Sequence, residues 1–324
     1  MRNSKKIIIF FACIVCFILI VMFLDTALYP VTYTHNDIQT AITKKHDVVL
    51  LGTSNGKMGI DPDYMLQDTD YQGVNLCLGS QYPVDSYYLA KLVFEKQKPS
   101  VLIYEVDPGY YTLQKEEGNN YNLFYHEFPA SLAKLEYFSA IMPQADYKNV
   151  LFPFYEYGIV DRLPKALNTI KLKLSGENNS VDIFQSSSAS YHENGFIERF
   201  PVKEENFPAY QSMEFSAEDV FEENMKYLDK LVELCRKNDV EMIAIQMPVY
   251  SGTIELDKEA MSAAWDYFGN YFNEKNVPFY NFNTDYYSDG KHDIDSFVDY
   301  EGHMNGDAAR DFSVTLGKVL FANS

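Results

Sequence analysis

Apolar residues are distributed along this chain in two patterns. The first is one unbroken block: Ile7 to Leu24 runs 18 residues without a charge. As a helix rising about 1.5 Å per residue it would be roughly 27 Å long, close to the hydrocarbon thickness of a bilayer. Arg2, Lys5 and Lys6 stand before it, which predicts a cytoplasmic N-terminus and an extracytoplasmic location for residues 25–324. A cleaved signal peptide would have a shorter apolar stretch and a small-x-small site, which Asp25-Thr26-Ala27-Leu28 does not offer. The expectation is an uncleaved, single-pass signal anchor. It divides the chain into a basic leader (1–6), a membrane span (7–24), a connector (25–45) and one globular domain (46–324).

The second pattern fills that domain. Short apolar runs at 48–51, 73–78, 101–106, 241–247 and 278–282 read as buried strands. Between and after them come stretches with helical spacing. Residues 85–97 form one. Ser216 caps another, with Phe221, Met225, Leu228, Val232 and Cys235 on one face. Residues 258–276 and 306–321 give two more, the last turning Ala309, Phe312, Leu316 and Leu320 inward. Alternation of this kind predicts an α/β fold, a three-layer α/β/α sandwich around a mostly parallel five-stranded sheet. Ligands of such sheets bind beyond the C-terminal strand ends, where Ser54, Gly79, Asp107 and Pro248 are expected to gather. Residues 108–215 interrupt the alternation. They are rich in Tyr and Phe, contain the polar run SSSAS at 186–190, and read as an inserted cap or lid.

Charge and cysteine content narrow the function. A net charge of −19 argues against a nucleic-acid partner, which requires basic stripes. Cys13 and Cys16 fall inside the apolar block; Cys77 in an apolar run and Cys235 on the apolar face of a helix could form one disulfide, but buried thiols are the expectation. No Cys/His spacing suits a metal, so neither metal nor other cofactor is expected.

The string G-T-S-N-G at 52–56 follows the first strand of the domain and fits a nucleophile elbow around Ser54. A nucleophilic serine needs a base, an acid that orients the base, and donors for the oxyanion. Of six histidines, His35 and His46 lie in or beside the connector, His126 and His192 in the insertion, and His292 in a charged run. His303 differs. It stands at the mouth of the last helix, with Asp299 four residues before it and Asn305 placed as the helix cap.

A strand followed by G-x-S near the start of the domain, with an Asp…His pair just before the last helix, resembles the SGNH/GDSL hydrolase superfamily. HMNGDAARDFS (303–313) is similar to that family's H-L-N-x-x-G-A-x-x-F-S ending, with Ala308 in place of the glycine. VNLCLGSQYPVDSYYLAK (74–91) is similar to a block of its membrane-anchored members. An α/β-hydrolase would carry its serine after several strands, with acid and histidine less tightly spaced. The resemblance implies Ser54 as nucleophile, His303 as general base, Asp299 as its orienter, and the backbone N–H groups of Ser54 and Gly79 as oxyanion donors. Asn55, Asp107 and Gln246 are candidates for substrate binding.

Two positions depart from the family. Its acid commonly stands three residues before the histidine, which here is Tyr300; a bulge at Asp299, a substitute at Glu301, or a Ser–His dyad would each answer this. The third strand leads to Asp107 where an oxyanion asparagine is expected, and a carboxylate there would repel a developing oxyanion unless protonated or turned away. The resemblance further implies an esterase or O-acyltransferase acting on acyl groups of cell-surface or exported glycans, in some members beside an integral membrane O-acyltransferase. The alternative is a non-catalytic SGNH-like scaffold that binds glycan or serves such an acyltransferase.

Overall fold

A computed structural model of the chain describes residues 2–115, 122–141, 147–284 and 292–322. The first elements are α1 (Arg2–Leu28), α2 (Tyr33–Thr43), β1 (Val48–Leu51), α3 (Ser54–Gly59), α4 (Pro62–Met65), β2 (Gly73–Asn75), α5 (Pro83–Phe94) and β3 (Val101–Glu105). A hairpin, β4 (Ala189–Tyr191) and β5 (Ile197–Arg199), follows, and then β6 (Glu241–Gln246) and β7 (Phe279–Asn281). Among the described residues one helix, α1, is long and apolar enough to cross a membrane.

The main sheet runs in the order β2-β1-β3-β6-β7 and every pair is parallel. Leu102 lies opposite Val49, and Ile103 opposite both Leu50 and Ile243. All four residues of β1 are fully buried because helices cover both faces, which is why the strand reads as a continuous apolar run. Val49 and Leu51 pack with Leu89 and Leu92 of α5 and Leu228 of the Glu222–Lys237 helix. Val48 and Leu50 pack on the other side with Ile60, and with Phe312 and Leu316 of the C-terminal Gly306–Phe321 helix. This is the three-layer α/β/α architecture that the alternation implies. Cys77 and Cys235 belong to opposite cores and are both unpaired.

Strands β2 and β3 flank β1 on opposite sides, so successive crossovers leave in opposite directions. The crevice at the C-terminal ends of β1 and β3 is therefore the topological switch point.

Among the departures from the expected boundaries, three change how the chain packs. Strand β2 stops at Asn75 rather than Leu78, because the Asn75 carboxamide Oδ1 accepts from the Cys77 N–H and diverts the chain. Ser216 caps only the single turn Ala217–Asp219. Val220 and Phe221 are then extended, and the long helix opens at Glu222. The 25–45 segment is no passive connector: α2 lies within it, and Ile38 and Ala41 are buried in the main core. The described parts of 108–215 also supply core. Tyr137 of the Leu132–Ile141 helix stacks on Tyr88 of α5 at 4.8 Å, and Phe196, just before β5, is fully buried in the core that holds Ile60 and the last helix's Phe312.

Candidate active site

Gly52 to Gly56 carries the chain from the end of β1 into α3. Gly52 has φ +155°, and a Cβ there would collide with the Glu105 carboxylate, so the turn requires glycine. Thr53 is the N-cap of α3 and accepts from the Asn55 N–H at 3.4 Å. Ser54 is the first residue of the helix, at the switch-point crevice. The far end of α3 is held by Asn75, whose Nδ2 donates to Gly56 O (2.9 Å) and Ile60 O (2.8 Å).

His303 and Asp299 come from one loop ahead of the C-terminal helix. Phe297 bridges antiparallel to Met304, and the Val298 N–H donates to His303 O at 2.9 Å, closing the loop. Gly302, at φ +98°, turns the chain back, and a Cβ there would lie 2.8 Å from Val249 Cγ1. That turn accommodates the extra residue between acid and base. Asp299 Oδ2 lies 2.6 Å from His303 Nδ1, and His303 Nε2 lies 2.8 Å from Ser54 Oγ. Asp299 Oδ1 also accepts from the backbone N–H of Glu301 (3.0 Å) and of His303 (3.3 Å). Burial pushes the Asp299 carboxyl upward, but its bonds to His303 and to these N–H groups outweigh it, leaving Asp299 below its ordinary value. An ionised Asp299 is acceptor-only, so the proton sits on His303 Nδ1 and Nε2 is left to accept from the Ser54 hydroxyl.

The Ser54 N–H, first of its helix, and the Gly79 N–H have no acceptor among the described residues. The two segments are close, since a Cβ on Gly79 would be 3.8 Å from Ser54 Cβ. Next to Gly79, Ser80 holds φ +63°, and its N–H donates to the Tyr110 hydroxyl at 3.2 Å. A non-glycine residue in that region is a mark of local strain.

Asp107 stands beside this group. It accepts from Gly109 N–H (3.0 Å) and from the Thr53 hydroxyl (3.3 Å). Burial raises its pKa against the pull of these donors and of His303. Asn55 Nδ2 donates to Glu301 O at 3.3 Å, linking the Ser54 and His303 segments. No hydrogen bond among the described residues joins Gln246 to Ser54 or His303, and its Oε1 is buried without a partner. Asn305 caps the last helix, accepting from Ala308 N–H. Tyr300 packs edge-on against Phe207 and Tyr210 of the insertion, and its hydroxyl donates to Glu204. This aromatic wall adjoins Asp299.

Glu105 was not visible in the sequence as part of the site. It ends β3 and is 2 % exposed, and its Oε2 accepts from the Thr53 N–H at 2.6 Å. Burial, and then the neighbouring Asp107 charge, push its carboxyl up from 4.5 to about 8. Between those values the folded chain keeps a proton that the unfolded chain has lost. Stability should therefore fall as pH rises through that window, and level off above it. Glu105→Gln keeps an acceptor for Thr53 and removes the titration. Its advantage over the wild type should grow from pH 5 to pH 9 by on the order of a few kcal/mol, read from denaturant midpoints. Parallel profiles for the two proteins would show that Glu105 is not the titrating group.

No protein-family model matches the chain, and no curated protein matches it in sequence. Similar solved structures include one named as a lipolytic protein of the G-D-S-L family from Desulfitobacterium hafniense. It has 14% identity and a TM-score of 0.39, over 85% of this chain and 100% of that one. Another is named as an acylhydrolase from Bacteroides fragilis, with 10% identity and a TM-score of 0.39, over 87% of this chain and 91% of that one. At such overlap these matches carry no argument about the chemistry of this chain.

Proposed function

We propose that this chain is a membrane-anchored serine esterase or O-acyltransferase of SGNH type, facing the extracytoplasmic side. The carrying observation is the continuous hydrogen-bonded relay Ser54–His303–Asp299, with links of 2.8 and 2.6 Å, at the switch point of the sheet. His303 Nε2 removes the Ser54 proton as Oγ attacks an acyl carbonyl, and ionised Asp299 stabilises the imidazolium that forms. The unspent N–H groups of Ser54 and Gly79 are suited to receive the oxyanion. Collapse of the tetrahedral intermediate expels the alcohol, which takes its proton from His303. The acyl-enzyme is then resolved by water or by a sugar hydroxyl. Acyl groups on cell-surface or exported glycans are the proposed substrates, and the aromatic wall around Tyr300 suits a sugar ring. An integral membrane O-acyltransferase is the proposed partner for the transfer reaction, with α1 as the anchor.

The purified full-length protein should be labelled at Ser54 by a fluorophosphonate and should hydrolyse p-nitrophenyl acetate. A wild-type protein that does neither, while folded, sinks the enzymatic reading for simple acyl donors and leaves the accessory one. Asp107 supplies a graded test. Asparagine there keeps an oxygen for the Gly109 N–H and replaces the other carboxylate oxygen with a donor. Asp107→Asn is expected to raise acyl turnover about ten-fold or more, because a donor beside the oxyanion replaces a repelling group. A comparable fall in steady-state turnover would mean that the carboxylate serves the substrate instead.

A further inference from the structure

Beyond α1, exposed apolar side chains concentrate in the short helices between residues 147 and 175. Leu151, Ile159, Val160, Leu163, Leu167 and Leu174 are 42 to 84% exposed. The spacing from Val160 through Leu163 and Leu167 to Leu174 follows one helical stripe. The neighbouring stripe of the Ala166–Ser175 helix packs Ala166 and Ile170 against Val21, Leu24, Ala27 and Leu28 of α1. The same residues, 147–175, include five basic and two acidic side chains, a net charge of +3 in a chain of −19.

The junction with α1 is firmly bonded. Arg162 Nε donates to Leu28 O at 2.8 Å, and Lys173 Nζ donates to Tyr29 O at 2.8 Å and Asp25 O at 3.2 Å. The last carbonyls of α1 thus find cationic donors, which also suit the negative end of a helix dipole. Phe152 meets Phe17 edge-on at 6.3 Å. Phe17 lies seven residues before Leu24, so this contact falls about 10 Å inside the outer end of the apolar block.

We propose that residues 147–175 form a second membrane contact of the interfacial kind. Their helices lie in the outer headgroup region beside α1, with the leucine stripe in the acyl chains. This rests on α1 being the membrane anchor. Three observations favour lipid over a protein as the occupant of the stripe. Phe152, in the same segment, reaches a depth that α1 itself assigns to hydrocarbon. Lys165 and Lys171 alternate with the leucines, as in helices whose lysines reach up to headgroups. The local charge also opposes that of the chain and suits anionic headgroups.

Depth-dependent quenching in vesicles tests this. Trp265 is the sole tryptophan, so Trp265→Phe gives a blank background for single tryptophans at Leu167, at Phe10 of α1, and at Leu256 on another exposed surface. The full-length variants are reconstituted into vesicles of phosphatidylcholine and phosphatidylglycerol, with and without lipids brominated near the glycerol end. Brominated lipid should lower emission of Leu167→Trp about two-fold, as expected for an interfacial helix, and leave Leu256→Trp unchanged. If Phe10→Trp is quenched while Leu167→Trp stays open to aqueous acrylamide, the second contact does not exist and the anchor stands. If Leu167→Trp is shielded from both quenchers, a protein covers the stripe and the lipid proposal falls. If Phe10→Trp is not quenched, the anchor reading fails, and this inference fails with it.

Discussion

Ser54→Ala is expected to lower kcat/KM for an activated ester by on the order of 10⁴-fold or more, with little change in melting temperature. The Ser54 hydroxyl is needed for the bond that forms, whereas its helix is held by Thr53, Asn75 and Glu105. His303→Ala should cost a similar amount, and the double variant scarcely more than either single one. Residues that act as a unit lose their effect together. Losses that multiply would mean the two side chains do not serve one step. Asp299→Asn is the sharper probe. Asp299 Oδ1 is already engaged by two backbone N–H groups, so an asparagine would keep its oxygen there and turn its amide nitrogen toward His303 Nδ1. The imidazole would then carry its proton on Nε2, where it cannot accept from Ser54. A loss of about 10³–10⁴-fold in kcat with an unchanged fold is expected, as for other triads forced into the wrong tautomer. Near-normal kcat would leave a Ser–His dyad as the working machinery.

The largest stability effect is expected at Lys57. This lysine sits three residues after Ser54 on α3 and is 1% exposed. Its Nζ donates to Asp37 Oδ2 at 2.6 Å and to Asn75 O at 3.2 Å. Asp37, also buried, accepts on its other oxygen from the Tyr191 hydroxyl at 2.7 Å. Burial raises the Asp37 pKa and the Lys57 ammonium pulls it back, so removing the lysine strands a carboxylate in the interior. Lys57→Met should cost about 3–5 kcal/mol in chemical denaturation, and Asp37→Asn a comparable amount. Replacing both by apolar residues should cost clearly less than the sum, because neither charge is then left alone. Additive losses would show that the pair is not coupled.

How much of this could be read from residues alone depends on the range of the interaction. Strand β1 was legible because a four-residue apolar run bounded by Asp47 and Gly52 has few other readings. The last helix was legible to its first residue because Asn305 is a local cap. Ser54, His303 and Asp299 could be named because turn glycines and a helix entrance carry local signals. Whether Asp299 could reach across an extra residue depended on the φ of Gly302, which a sequence does not state. Glu105 and Lys57 escaped notice for a different reason. A charged residue in a strand or short helix reads as solvated, and only the approach of Thr53 or of Asp37, 20 residues back in the chain, makes its burial tolerable. The role of α2 was hidden likewise: its apolar face is narrow, and two polar residues, Asn36 and Asp37, are buried on it, Asp37 against Lys57 and Tyr191.

The distance along the chain between Ser54 and His303 also sets a clock. They are 249 residues apart, and synthesis at about 5–20 residues per second puts roughly 12–50 s between their appearances. Acid and base arrive together, in one closed loop, and only with the final helix. Under the proposed mechanism, a nascent chain that already carries Ser54 is chemically silent until the segment bearing His303 has folded onto the sheet.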